Sequence, residues 1–170
     1  KSTCPSELVY HEVMAPAAQP VSDIGISVLL AFQGFVRALH ADLAAQGFDD
    51  VGKSDGLVFR LLSDRSRTVS ELAGLLEVSK QGAGQIIQDM ETRGYVVRDQ
   101  SPGDARARPV RLSDRGLAAL AAARRFHRRT EARLVREHGR ESVATFRAVL
   151  TAMAGDDATA LDQQVRGLYF

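Results

Sequence analysis

The sequence predicts a mainly α-helical fold with one small β-hairpin and long helices at both ends, and three observations predict it. Apolar residues recur at helical spacing along most of the chain. Two helix-capping signatures, Thr68-Val69-Ser70-Glu71 and Ser79, stand close together, as they do where two short helices meet at a tight turn. Soon after them, the strand-like Tyr95-Val96-Val97-Arg98 and Val110-Arg111-Leu112 flank the turn-forming stretch Asp99 to Ala105.

The elements follow in order. Residues 1–21 contain Pro5, Pro16 and Pro20 and read as a tail. Val28, Phe32, Phe35, Val36, Leu39 and Leu43 place a long amphipathic helix from about Ser22 to Gln46, ended by Gly47. Leu57, Val58, Leu61 and Leu62 mark a shorter helix from about Ser54 to Ser63, and the polar Asp64 to Arg67 reads as a loop. In the capping box the Thr68 hydroxyl accepts from the Glu71 amide while the Glu71 carboxylate reaches back, starting a third helix that buries Leu72, Leu75 and Leu76. Ser79 caps a fourth, in which Ala83, Ile86, Ile87 and Met90 follow the i, i+3, i+4, i+7 pattern and which Gly94 ends. Helices three and four form a helix-turn-helix, and the hairpin behind them, with its arginine-rich tip, is the wing of a winged helix. Ser113 caps a fifth helix reaching about Glu137, and Val143, Phe146, Leu150 and Met153 carry a sixth.

This organisation predicts a tail (1–21), a dimerisation helix (22–51), a winged helix-turn-helix (52–113) and C-terminal dimerisation helices (114–170). The end helices are assigned to a dimer interface because their apolar faces exceed what a winged-helix core buries, and 170 residues at 45% hydrophobic suffice for such a core.

Composition excludes several function classes. The longest apolar runs, Ile26 to Phe32 and Gly116 to Ala123, are too short to span a bilayer, and no charged segment precedes a hydrophobic leader, so a soluble cytoplasmic protein without membrane partners is expected. The single Cys4 cannot close an intramolecular disulfide, which fits a reducing compartment. Beside Pro5, with Lys1 as its cationic neighbour, it reads as inert, and a peroxide-sensing thiol is the alternative. His11, His40, His127 and His138 show no metal-ligand spacing, and Gly82-x-Gly84 lacks the third glycine and preceding strand of a dinucleotide fingerprint. No nucleophile elbow, zinc motif or paired-carboxylate signature is present, so no enzyme, metal or cofactor is expected.

Charge is uneven despite a net +1: residues 1–51 hold two basic and six acidic groups, whereas 52–113 hold ten and eight. Arg93, Arg98, Arg106, Arg108 and Arg111 give the hairpin region a local excess that suits a polyanion. The fourth helix adds a second sign. Opposite its apolar stripe lie Gln81, Gln85, Gln88 and Thr92, an uncharged, amide-rich face, and a glutamine side chain pairs bidentately with adenine in the major groove. Ser79 and Lys80 cluster at the same end, where Lys80 suits a phosphate. Gly82 and Gly84 flank this stripe, each costing about 1 kcal/mol of helix stability relative to alanine. Either their missing side chains admit DNA close to the backbone, or they relieve crowding where helices three and four cross.

The stretch TVSELAGLLEVSKQGAGQIIQDMETRGYVVRDQSPGDARARPVRLSDRG resembles the core of the MarR family of bacterial transcription regulators, closely over about residues 54 to 120. Its most specific element is Asp104-Ala105-Arg106, similar to the family's Asp-x-Arg, followed by Val110-Arg111-Leu112-Ser113 and Gly116. The resemblance implies that Arg106 enters the minor groove and that Asp104 helps to hold it. Where family members often have a second arginine this chain has Ala105, and Arg108 is placed to substitute for it; Pro109 stiffens the wing's base. The family further implies a homodimer on a pseudo-palindromic double-stranded DNA operator, acting as a repressor released by a small, often aromatic or anionic, effector. Phe32, Phe35, Phe59 and His40 come from the helices that line such a pocket. Arg124, Arg125, Arg128, Arg129, Arg133 and Arg136 on the fifth helix read either as backbone-binding cations or as a solvated face. The competing expectation is a winged-helix protein-interaction module without DNA binding.

Overall fold

The computed structural model describes residues 23–99 and 108–154. Their elements are α1 (Ile24–Ala44), α2 (Asp55–Leu61), α3 (Val69–Leu76), α4 (Lys80–Thr92), β1 (Val96–Arg98), β2 (Val110–Leu112), α5 (Asp114–His138) and α6 (Arg140–Ala154). This is the mainly α fold with a small β wing that the sequence predicts, with ends shifted by one or two residues. Asp104, Ala105, Arg106 and Cys4 lie outside the described residues.

The chain divides into two compact units with the boundary between Phe35 and Val36, inside α1. In the first, the Asp23 carboxylate accepts the Ile26 amide at 2.9 Å and so caps α1. Beyond that cap Ile24, Ile26, Leu29, Leu30 and Phe32 are 37–71% exposed, far more large apolar surface than one helix normally shows to water. With 21 residues and a hydropathy of 1.5, α1 is long and apolar enough to cross a membrane by length and composition. Uninterrupted runs missed this because Gln33 and Arg37 break them without lowering the average much.

The second unit is built around one core. Leu43 from α1 meets Leu57, Val58 and Leu62, then Leu72 and Leu76 of α3, Ile87 and Met90 of α4, Tyr95, Val96, Val110 and Leu112 of the hairpin region, and Ala119 and Ala122 of α5. These are the apolar stripes of the amphipathic helices, so periodicity and packing agree. Leu75, expected inside, is half-buried.

Local hydrogen bonding fixes the helix starts. Glu71 N donates to Thr68 Oγ1 at 3.2 Å while Thr68 N donates to Glu71 Oε2 at 2.7 Å, completing the capping box. These bonds hold the Glu71 carboxyl below its usual range. Ser79 Oγ accepts from Gly82 N at 3.0 Å and starts α4, whose last turn is followed by Gly94 at φ +77°, the left-handed region where glycine is favoured. The hairpin pairs Val96 with Leu112, Val97 with Arg111 and Arg98 with Val110. The segment read as a plain loop contributes too: Arg67 exchanges backbone hydrogen bonds of 3.0 and 2.8 Å with Val110, bracing the base of the wing.

At the start of α5, Ser113 Oγ accepts the Gly116 amide at 3.0 Å and donates to the Gly94 carbonyl at 2.5 Å. A Cβ on Gly116 would stand 2.1 Å from the Tyr95 carbonyl oxygen, so this position admits only glycine without moving backbone. The bare Cα lets α5 close onto the hairpin. Further along, α5 and α6 form a helical pair in which Arg147 donates to Glu131 at 2.7 Å, and Phe146, Val149 and Met153 of α6 are about half exposed.

Candidate nucleic-acid interface

α4 separates two chemistries around its axis. Ala83, Ile87 and Met90 are fully buried, whereas Ser79, Lys80, Gln81, Gln85 and Gln88 are exposed. The stripe expected to face outward does so. Thr92 is exposed as well, but its hydroxyl donates to the Gln88 carbonyl at 2.9 Å and is committed to its own helix. Ser79 accepts the capping bond and keeps its O–H available to a partner.

The glycines respond differently to an added methyl. Around Gly84, apart from its chain neighbours and its own helix backbone, no atom of the described residues lies within 4 Å of the Cβ position, and at Gly82 the nearest is the capping Ser79 Oγ at 3.3 Å, with Val78 side-chain atoms at 3.9 and 4.0 Å. Crowding between α3 and α4 therefore does not account for Gly84. The space above it is open among the described residues.

The hairpin's arginine excess is smaller than its composition suggests. Arg98 Nε donates to Glu91 at 3.0 Å, Arg111 Nε to Asp99 at 2.9 Å, and Arg93 is bound to Asp55 and Asp89, so these three act as struts of the wing's base and of α4. Arg108 is exposed where the chain re-enters the hairpin. Asp104 and Arg106, the expected tip, fall outside the described residues. Along α5, Arg125 donates to Gln46 at 2.9 Å and Arg129 to Asp42 at 2.5 Å, so two of the helix-five arginines between 124 and 136 tie α5 to the end of α1.

Of the residues expected to line an effector pocket, Phe59 is 3% exposed and sits in the core, its ring edge-on to Tyr95 at 5.4 Å. Its surface is spent on folding in this conformation. His40 is half-buried on the second unit's part of α1, and Phe35 is half-buried at the end of the first unit. A groove of about 690 Å³ lies instead along α5 and α6, lined by residues that include Val135, Val143, Arg147 and Ala148.

Sequence reasoning missed a polar cluster that ties three elements together. Asp50, Asp55 and Asp89 meet Arg93, Tyr95 and Arg115. Asp55 is 2% exposed, an unusual place for a carboxylate. Burial and then the hydrogen bond to Asp50 push the Tyr95 phenol up to about 12, against the opposing pull of Arg115. Only Asp89 and Arg93, at i and i+4, are local neighbours; nothing local signals Asp55 with Arg93, which are 38 positions apart.

Residues 50–107 match the family model described as MarR family. FabT of Streptococcus pneumoniae, solved in complex with DNA, is similar in fold with a TM-score of 0.66 at 19% identity, covering 76% of this chain and 92% of that one. The YusO protein of Bacillus subtilis reaches 0.61 at 20% identity, over 79% of this chain and 94% of that one. A MarR family protein of Mycobacterium tuberculosis in complex with salicylic acid reaches 0.54 at 22% identity, over 78% and 96%. No curated protein sequence matches the chain significantly.

Proposed function

We propose that this chain, whose residues 50–107 match the MarR family model, is a sequence-specific DNA-binding transcription regulator of the cytoplasm. It works as a homodimeric repressor on a pseudo-palindromic operator and is released by a small-molecule effector. The observation that carries the reading is α4: a capped helix with an exposed glutamine stripe beside a glycine whose surroundings are empty. Most surface helices carry lysine and glutamate outward; an uncharged amide face suits base edges, which offer paired donors and acceptors. In this reading Gln81 and Gln85 contact bases, Ser79, Lys80 and the Gly82 backbone approach phosphates, Arg106 enters the minor groove with Asp104 helping to hold it, and Arg108 supplies a further backbone contact.

Two neighbours support the DNA assignment, FabT in complex with DNA and a Staphylococcus aureus MepR mutant bound to an oligodeoxyribonucleotide. The salicylic acid complex of the mycobacterial protein supports an aromatic, anionic class of effector. The homodimer is supported by the exposed apolar faces of α1 and α6, a second copy of which would cover them. His40 is the effector contact on the second unit's part of α1, with Phe59 available only after a shift in the core.

The test is fluorescence-anisotropy titration of labelled duplex from the gene's own upstream region and of a scrambled duplex, over a salt series, with Gln85→Ala and Arg106→Ala beside the native chain. Selective binding with a steep salt slope, weakened by both substitutions, is expected. Equal, feeble binding to upstream, scrambled and random-pool duplexes would overturn it in favour of a protein-interaction module.

A further inference from the structure

Arg93, which follows the last residue of α4, makes four hydrogen bonds in three directions. Its Nη1 donates to Asp55 Oδ2 at 2.5 Å and to the Asp50 carbonyl at 2.5 Å; its Nη2 donates to Asp55 Oδ1 at 3.2 Å and to Asp89 Oδ2 at 2.5 Å. Asp55 also accepts the Gly52 amide at 2.7 Å. Both Arg93 and Arg115 lie over the Tyr95 ring, at 5.5 and 4.7 Å from its centre. The Tyr95 hydroxyl donates to Asp50, and Arg115 donates to the same Asp50 oxygen at 2.9 Å. The loop from α1 to α2 is thus pinned to the end of α4, the residue before β1 and the first turn of α5.

A buried ion pair is a poor way to gain stability, since desolvating the charges offsets most of their attraction and apolar residues of similar volume hold elements together as well. Its distinctive property is direction. Apolar contacts along α4 are non-directional and tolerate sliding and rotation, whereas a planar guanidinium fork engaging a carboxylate with both nitrogens fixes distance and angle together. The lever is long: twelve residues separate Gln81 from Arg93, about 18 Å of helix at 1.5 Å per residue. A tilt of about 5° at the Arg93 end therefore moves Gln81 by roughly 1.5 Å, enough to break a hydrogen bond to a base edge.

We propose that Arg93, acting with Asp55, is the positioning residue that sets the orientation of α4 and thereby its sequence discrimination. The proposal rests on the reading of α4 as the DNA-reading helix. Arg93 need not touch DNA: it acts through Gln81 and Gln85, and it ties their placement to the loop through which α1 enters the DNA-binding region.

The experiment uses the full chain and a duplex selected from random-sequence DNA by the native protein, with a scrambled duplex as reference. Arg93→Lys keeps the charge but cannot bridge Asp55 in two-pronged fashion, and Asp55→Asn removes the charge of the buried partner. Both are assayed at a temperature where circular dichroism shows the variants folded. Affinity for the selected duplex is expected to fall roughly tenfold while the scrambled duplex changes by less than about twofold, so the discrimination ratio drops about tenfold. A merely structural role would lower both affinities by the same factor and leave the ratio unchanged, which overturns the proposal. If Asp55→Asn does not fold, Arg93→Lys alone decides. If the native protein selects no duplex, the reading of α4 fails first and takes this inference with it.

Discussion

Replacing Gly84 with alanine separates the folding role of one residue from its binding role. Gly84 lies inside α4 at an ordinary helical φ, and among the described residues no atom beyond its chain neighbours and own helix backbone stands within 4 Å of its Cβ position. The methyl therefore meets nothing in the folded chain, and only intrinsic helix preference changes. That preference is worth about 1 kcal/mol in favour of alanine, or a rise of about 2 to 4 °C in Tm for a chain of this size. Binding moves the other way. If DNA approaches the bare Cα, the added carbon holds the helix away from the groove and stretches the bidentate contacts beside it, each worth about 1 to 3 kcal/mol, so Kd rises at least fivefold. Thermal unfolding followed by circular dichroism and anisotropy titration on the upstream duplex read the two effects on one preparation. A higher Tm with unchanged affinity would refute the idea that this glycine serves close approach, and a lower Tm would refute the empty space around it.

Other substitutions probe the remaining joints. Gly116→Ala, with its Cβ 2.1 Å from the Tyr95 carbonyl oxygen, forces backbone apart and is expected to destabilise the fold by about 2 to 4 kcal/mol in denaturant unfolding, despite alanine's better helix preference. Because the Tyr95 phenol is raised to about 12, the folded state holds its proton where the unfolded state releases it. Stability is then fully present below about pH 10 and falls by about 2 kcal/mol as pH rises to 12, a loss that Tyr95→Phe removes from the unfolding curve. Leu30→Glu on α1 or Phe146→Glu on α6 places a charge on an exposed apolar face, and analytical ultracentrifugation is expected to show at least a tenfold weaker dimer. An unchanged association constant for both would remove these faces from the interface.

Much of this fold is readable without coordinates because its determinants are local. The Thr68 and Ser79 caps, the apolar period of α3 and α4 and the alternation around Val96 and Val110 each act within a few residues, so composition and spacing report them directly. The exposed glutamine stripe follows from the same arithmetic, since burying Ala83, Ile87 and Met90 leaves Gln81, Gln85 and Gln88 outside. Other features depend on pairs that no window contains. Composition made Arg93, Arg98 and Arg111 part of a basic patch, and three-dimensional neighbours turned them into struts. Phe59 reads as a pocket residue until Tyr95 packs against it, and Gly116 reads as an ordinary helix residue until the Tyr95 carbonyl is seen where its side chain would be. Sequence by itself determined which segments are helix or strand and which faces are apolar, because hydrogen bonding and periodicity are properties of neighbours along the chain. Only tertiary structure decided which charges are neutralised and where a methyl has no room, because those depend on atoms brought together across 7 to 38 positions of intervening chain.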